Sequence, residues 1–357
     1  MIPDFYRTKL DNGIEIIGAE SKEVPKVVVH ITIEGGHLME TGKGETGTAV
    51  LCAAMLDEGT ANFTTEEVSA KLEDLGSSIY FSSSRDNSSI YIQSLPENLD
   101  ATLEILEEKL FNPGFREDDF KRVKKQLLAV IKSQKTSGAM TVNKVFNKLL
   151  YGETVLGVYY TGTYNDAYKL KVSDARAYYD KYYEPSLTSV VVVGDINKEV
   201  ILPKLEFLSK WKTRGAKLPE ISGFPEQEKT QVYVVHQSDF KTTASQIRIG
   251  YLSDKYDATG KFFRSNIMNF PLGGAFSSRI NLNLREDKGY TYGARSWFSG
   301  SDYPGPFAAG ATVKANVTDS TIIEFVKEIK NFHDQEIKKI DFFRVPANRS
   351  LVANPQF

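Results

Sequence analysis

The feature that most restricts the fold of this chain is an order of strand and helix patterns that occurs twice. The first pass starts with an alternating β-branched stretch, Lys26–Gly36, continues through helical segments and two alternating strands, and closes with SLTSVVVVGDI. After residue 229 the order begins again with QVYVVHQ and ASQIRIGYL and runs to DSTIIEFVKEIKNF. A duplicated unit explains this order economically. It predicts an α+β fold of two repeated domains, each a mostly antiparallel mixed β-sheet with helices packed on it.

The boundary between the repeats is a segment rich in proline, glycine and charge. It has no periodicity, so we predict a first domain over residues 1–212, a linker over 213–228 and a second domain over 229–357. The second repeat is shorter, and Lys338–Phe357 matches no part of the first. We therefore expect a second domain that is incomplete at its C-terminal end, with an irregular tail or another chain covering the gap.

Charge and hydropathy exclude several classes of function. The chain has 44 basic and 46 acidic residues and a net charge of -2, so it has no overall field that attracts nucleic acid or an anionic membrane. No apolar run approaches the roughly 18 residues of a membrane-spanning helix. The first residues also lack a signal-peptide pattern. The single cysteine, Cys52, lies in an apolar run and is interpreted as a buried hydrophobe. The compartment stays open between periplasm and cytoplasm.

The histidines do not form a metal-binding pattern. No two of them have a helical metal-ligand spacing: His30, His37, His236 and His333. We expect His30 and His236 to be structural residues of strands. His37 stands near Glu40 and Glu45 in a glycine-rich loop, and we expect these three to be surface residues.

Several ordered landmarks carry a family resemblance. They are EGGHLMETGKGETGTAVLCAAMLDEGT, TTEEVSAKLEDLGSSI, FNPGF and YYTGTYNDAYKLKVSDARAYYDKYYEPSLTSVVVVGDI. In this order they resemble the pitrilysin/insulinase (inverzincin) family of zinc metallopeptidases, which includes the mitochondrial processing peptidase. The resemblance extends over about residues 7 to 330.

The resemblance also identifies what this chain lacks. In the family, the two histidines of a helical H-x-x-E-H motif bind zinc, its glutamate is the general base, and a distant glutamate completes the ligands. Those places fall here on Val50, Ala53 and Ala54, with the distal ligand near Val130 and Ile131. All are apolar. We expect no catalytic zinc and no other cofactor in this chain.

A second active-site element of the family is retained. The stretch LNLREDKGYTYGARSWF, Leu282–Phe298, resembles the element from which an arginine and a tyrosine extend to the zinc site. Arg285 and Tyr292 match them. A guanidinium can hold substrate carbonyls, and a phenol can donate a hydrogen bond to the oxyanion formed when water attacks the scissile bond.

The resemblance implies a non-catalytic, zinc-free subunit of a heterodimeric zinc metallopeptidase. Its partner would be a family paralogue that contains H-x-x-E-H and binds the zinc, and both would hold a peptide substrate. We expect no peptidase activity from the chain alone, no nucleic-acid binding and no membrane insertion. Two alternatives stay open: an inactive structural family member, and a stand-alone peptide-binding module. Retention of Arg285 and Tyr292 favours the first interpretation.

Overall fold

The structure is a computed structural model in which residues 4–42, 44–226, 228–236 and 243–334 are described. Its strands are β1 (Tyr6–Lys9), β2 (Glu15–Glu20), β3 (Val27–Glu34), β4 (Ser78–Ser83), β5 (Asn87–Ser94), β6 (Thr188–Gly194), β7 (Ala244–Leu252), β8 (Thr291–Phe298) and β9 (Pro306–Lys314).

The helices alternate with these strands. They are α1 (Thr48–Asp57), α2 (Thr65–Asp74), α3 (Leu99–Phe111), α4 (Glu117–Gln134), α5 (Gly138–Tyr151), α6 (Tyr164–Lys169), α7 (Val172–Tyr182), α8 (Lys198–Leu205), α9 (Lys261–Asn269), α10 (Arg279–Asn281) and α11 (Thr318–Asp334). Among the described helices, none is both long and apolar enough to cross a bilayer.

The chain divides into two compact units. The first unit contains residues 1–133 and 154–220, and the second contains residues 134–153 and 221–357. Helix α5 therefore belongs to the second unit, although it precedes the predicted linker. Arg248 Nε on β7 donates to Asn143 Oδ1 on α5 at 3.0 Å. The sequence-based boundaries at 212 and 229 stay a prediction.

The sheet of the first unit has six strands in the order β1-β2-β6-β3-β5-β4. Strands β2 and β6 are parallel, and the other neighbours are antiparallel. Alternate side chains of β3 face a core shared with α1, α3, α4 and α7: Val27, Val29, Ile31 and Ile33. The structure confirms the predicted α+β class and the two predicted strands before α3.

Helix α1 forms because a glycine with left-handed backbone angles precedes it and because its own residues are apolar. Gly47 precedes it with φ of 97°, a conformation that glycine adopts without steric cost. The helix TAVLCAAMLD is apolar on nearly all sides and is buried in the core. Helix α2 begins with a capping box, in which Thr64 Oγ1 accepts from Glu67 N–H at 3.2 Å and a Glu67 oxygen accepts from Thr64 N–H at 2.8 Å.

The second unit has a three-stranded antiparallel sheet in the order β7-β9-β8 within the described residues. Its core combines this sheet with α11, where Phe325 is fully buried. The predicted strand QVYVVHQ is wrong for residues 231–236, which form no strand and are all exposed, including His236. An alternating pattern needs a neighbouring strand to pair with, and these residues have none among those described. Lys338–Phe357 lies outside the described residues, so the predicted incompleteness of this domain stays a prediction.

Candidate functional site

The positions that correspond to the zinc motif lie on α1 and α4 in the first unit. Val50 and Ala54 are four residues apart, so they lie on one face of α1, and both are partly buried. Ala53 is buried in the core. Val130 lies on α4 with its side chain 47 % exposed, next to the buried Ile131.

These residues do not fit a zinc ion. Val50, Ala53, Ala54 and Val130 have hydrocarbon side chains, and zinc requires nitrogen, oxygen or sulfur ligands. The place of the general base, Ala53, packs among other hydrocarbon side chains. Across the described residues, no cluster of three or more His, Cys, Asp or Glu side chains is arranged to hold a metal ion. Helix α1 is therefore a core helix.

A buried carboxylate holds the N-terminus of α1. Glu40 Oε1 accepts a hydrogen bond from Ala49 N–H at 2.6 Å, and its Oε2 accepts one from Gly47 N–H at 2.9 Å. The first N–H groups of a helix have no partner within the helix and carry partial positive charge, so a carboxylate is favourable there. Burial raises the pKa of Glu40, and its hydrogen bonds oppose that rise. The loop that contains Glu40 is thus fixed to the N-terminus of helix α1.

His37 joins this carboxylate to a distant segment. Its Nδ1 is 2.6 Å from Glu40 Oε2, and its Nε2 is 3.1 Å and 3.2 Å from the carbonyl oxygens of Val155 and Val158. Both ring nitrogens of His37 thus have a hydrogen-bond partner within the core, one on the Glu40 carboxyl and the other on the backbone of residues 155–158. The expectation of surface residues is wrong for His37 and Glu40, which residues 155–158 help to bury, whereas Glu45 is exposed.

A buried lysine holds the other end of α1. Lys109 Nζ donates to the carbonyl oxygens of Leu56, Asp57 and Glu58 at 3.2, 2.8 and 2.8 Å. It also lies 5.6 Å from the centre of the Phe81 ring. A cation at a helix C-terminus is favourable because the last carbonyls carry partial negative charge. Burial lowers the pKa of Lys109 to about 8, and the Asp57 and Glu58 carboxylates oppose that shift.

Neither Glu40 nor Lys109 was predicted as an anchor of α1, although one signal was available in the sequence. The apolar stripe of α3 has helical spacing, and a lysine occupies one of its positions: Leu99, Thr102, Leu103, Leu106, Lys109 and Leu110 are all buried. A charged residue on such a stripe indicates a buried partner. No comparable signal marked His37 and Glu40.

Arg285 lies on an irregular helical segment of the second unit. Leu282–Asp287 forms a π-helical turn, a rare geometry that is frequent at functional sites. The Arg285 guanidinium lies over the ring of Phe276, with 4.3 Å between Cζ and the ring centre, and its Nε is 3.4 Å from Glu286 Oε1. The cation–π contact orients the guanidinium while part of the side chain stays accessible to solvent.

Tyr292 extends from a bulge near the start of β8. The register between β8 and β9 shifts between Thr291 and Ala294, so Tyr292 and Gly293 are both exposed. Thr291 Oγ1 supports the bulge by donating to the Thr312 carbonyl at 2.7 Å and accepting from Gly293 N–H at 3.1 Å. The Tyr292 side chain is 99 % exposed. Its phenol is therefore presented to solvent from a fixed backbone.

A buried asparagine connects the two residues of the predicted pair. Asn281 Oδ1 accepts from Ala294 N–H at 3.0 Å, and its Nδ2 donates to the Phe276 carbonyl at 2.7 Å. It thereby ties the strand of Tyr292 to the turn whose ring lies under Arg285. The structure places Arg285 and Tyr292 on one helix–turn–strand element. The zinc-motif positions lie in the other unit. No sequence pattern marked Asn281.

Comparison with known protein families gives two adjoining matches. The model described as insulinase (peptidase family M16) matches residues 16–157. The model described as peptidase M16 inactive domain matches residues 169–345. The two matches lie on the first and second sequence repeats for most of their length.

Known proteins agree with these matches. The chain is 26 % identical to "Non-peptidase homolog YmxG" of Helicobacter pylori over 88 % of this chain and 72 % of that protein. It is 24 % identical to "Uncharacterized zinc protease YmxG" of Bacillus subtilis over 82 % and 70 % of the two chains. Among solved structures, a peptidase M16 inactive domain from Pseudomonas fluorescens superimposes with a TM-score of 0.86 at 20 % identity, covering 96 % of this chain and 82 % of that one. This last likeness shows a shared fold.

Proposed function

Because the chain belongs to the M16 (insulinase) peptidase family, we propose that it is the zinc-free subunit of a heterodimeric zinc metallopeptidase. In this proposal a family paralogue with an H-x-x-E-H motif binds the zinc, and this chain binds the peptide substrate alongside it. Arg285 and Tyr292 are its contribution to the shared site. One observation carries the proposal. The Tyr292 phenol is fully exposed on a β-bulge held by hydrogen bonds, in a chain whose own zinc-motif positions are aliphatic.

The chemistry of the two side chains defines their roles. The Arg285 guanidinium can donate to peptide carbonyls, because it has several N–H groups and is held over Phe276. The Tyr292 hydroxyl can donate to the oxygen of the scissile carbonyl as negative charge develops on it. Removal of one such donor costs about 2.7–4 kcal/mol, a factor of about 10²–10³ in kcat. Arg285 should therefore act mainly on KM, and Tyr292 mainly on kcat.

The test is a mixing experiment with unstructured fluorogenic peptides. The assay compares this chain alone, a zinc-motif paralogue from the same source alone, and both at equal concentration. We expect activity from the mixture only. Tyr292→Phe should lower kcat about 100-fold while the subunits still associate, as measured by sedimentation. The matched control is Tyr256→Phe, another exposed tyrosine of the second unit, which should leave kcat unchanged.

An inactive structural role is the second candidate, and one observation favours it. Buried charged groups hold both ends of helix α1, as expected for a core helix whose role is to stabilise the fold. If the paralogue alone is as active as the mixture, or Tyr292→Phe changes neither kcat nor KM, the catalytic proposal fails. Association that persists in that case would establish the structural role.

A further inference from the structure

The π-helical turn that carries Arg285 is closed by a wide backbone hydrogen bond. Lys288 N–H donates to the Asn283 carbonyl oxygen at 3.0 Å, and Arg285 lies between these two residues in the chain. Turns of this kind are rare in proteins and occur frequently at functional sites. Contacts from outside the turn are therefore expected to hold it in this form.

The two residues that close the turn also meet on one carboxylate of helix α11. Asn283 Nδ2 donates to Glu324 Oε2 at 2.9 Å, and Lys288 Nζ lies 3.7 Å from Glu324 Oε1. Glu324 thus closes the turn a second time, through the side chains at its two ends. The Arg285 guanidinium lies over the ring of Phe276, so Glu324 acts on it through the backbone between residues 283 and 288.

A second carboxylate of α11 holds the start of this segment. Glu328 Oε1 accepts from Asn283 Nδ2 at 2.8 Å, and its Oε2 accepts from Arg279 Nε at 3.2 Å. Glu324 and Glu328 are one helical turn apart, where two negative charges repel each other. The Asn283 amide offsets this repulsion, because its nitrogen donates to both carboxylates.

The surroundings of Glu324 allow it to hold a backbone segment in place. It directly precedes Phe325, which is fully buried in the core of the second unit, and its own side chain is only 14 % exposed. The hydrogen bond from Asn283 lowers the pKa of Glu324, and partial burial opposes that shift. Glu324 is therefore ionised at neutral pH and carries the charge that attracts Lys288.

We propose that Glu324 is a positioning residue for Arg285. Its carboxylate keeps residues 283–288 in the π-helical form, and this form places the guanidinium over Phe276. Without the carboxylate, the turn relaxes toward a regular helix, which changes the direction of the Arg285 side chain. The consequence for catalysis rests on the proposed function, in which Arg285 binds peptide carbonyls. The positioning itself depends on contacts within the second unit alone.

The first test measures the placement of Arg285 without any partner protein. In NMR spectra of the full chain with labelled arginine, the ring current of Phe276 should shift the signals of the Arg285 δ-protons upfield, and Phe276→Leu identifies these signals. We expect Glu324→Ala to remove the shift. The matched control is Asp334→Ala, at an exposed carboxylate of the same helix, and it should leave the shift unchanged.

The second test measures peptide hydrolysis by the mixture of this chain with the zinc-motif paralogue. Glu324→Ala should raise KM about tenfold, as expected for coupled residues, and leave kcat within about twofold. In a chain that already carries Arg285→Ala, the same change should raise KM by less than about twofold, because residues that act as one unit are not additive.

A milder variant keeps both tests usable if Glu324→Ala does not fold. Glu324→Gln retains an acceptor for Asn283 and loses the ion pair with Lys288. It should therefore reduce the upfield shift of Arg285 and raise KM in the same direction as Glu324→Ala, by a smaller factor.

Two results would overturn the proposal. The first is a set of Arg285 signals that stays fully shifted in the folded Glu324 variant. The second is a rise in KM of the same size with and without the Arg285 side chain, which would mean that Glu324 supports the fold in general. A parent mixture without activity would overturn the proposed function instead, and the NMR measurement would still decide whether Glu324 positions Arg285.

Discussion

Helix α1 and the helix–turn–strand element around Arg285 and Tyr292 have opposite designs. The first is regular, apolar and buried, with charged groups at both of its ends. The second contains a π-helical turn and a bulge, and the side chain of Tyr292 is completely exposed. A buried, regular helix therefore indicates a residue set that supports the fold. An irregular backbone segment that is held by its own hydrogen bonds indicates that a side chain is presented to solvent.

This contrast predicts that substitutions around α1 change the free energy of unfolding and that those at the second element change mainly activity. Glu40→Ala should have the largest effect. It removes the acceptor of two helix N–H groups and leaves His37 without its buried partner, so we expect a loss of about 3–5 kcal/mol. Urea unfolding measures it. The exposed Glu23→Ala is the control and should stay within about 0.5 kcal/mol.

The second prediction concerns Lys109. Lys109→Met leaves three carbonyls without their donor, and we expect a loss of about 1–3 kcal/mol at pH 7. Lys125→Met, an exposed lysine of α4, should have little effect. Equal stability of the two variants would show that the lysine does not anchor α1.

The pH dependence of the same variant has a defined sign. The pKa of Lys109 is lowered to about 8 in the fold, so between pH 8 and the unfolded value near 10.5 the unfolded chain binds more protons. The native state therefore gains stability as pH rises through that window, by at most about 1.4 kcal/mol per pH unit. The difference between the parent chain and Lys109→Met should widen accordingly. A difference that narrows with rising pH would contradict this assignment.

A smaller effect is expected at Asn281. Asn281→Ala leaves the Ala294 N–H and the Phe276 carbonyl without their partner, so we expect a loss of about 1–2 kcal/mol in unfolding free energy. Because the change also loosens the support of Tyr292, kcat of the subunit mixture should fall. Stability lost without any change in kcat would separate the brace from the function.

The smallest effect on stability belongs to Tyr292. Its side chain is exposed, so Tyr292→Phe should change the unfolding free energy by less than about 0.5 kcal/mol while kcat falls. Thermal unfolding of the purified variant checks the first half. A large destabilisation would mean that Tyr292 supports the fold, and the contrast with α1 would no longer hold.

Local sequence patterns predicted most of the fold. The alternation of β3, β5 and β7, the apolar run of α1 and the capping box at Thr64 depend on neighbouring residues, so a single sequence contains the required information. The resemblance supplied the Arg285 and Tyr292 pair, and the structure adds the bulge and the π-helical turn that carry them.

The parts that were missed depend on distant residues. His37 is buried by carbonyls 118 and 121 positions further along the chain, which no local pattern reveals. Lys109 reaches α1 across more than 50 positions. The strand prediction for residues 231–236 is wrong for the opposite reason. Their pattern suits a strand, but a strand exists only where another one pairs with it.

The bulge in β8 separates the direction of the Tyr292 side chain from the packing of the residues beside it, two properties that are linked in a regular strand. In a regular strand, the direction of every side chain is fixed by the packing of its neighbours, because successive residues alternate between faces. Here the extra residue frees position 292 from that alternation, and Ala294 restores it toward the core. Evolution can therefore replace the group presented at this point by a single substitution, without rearranging the sheet that carries it.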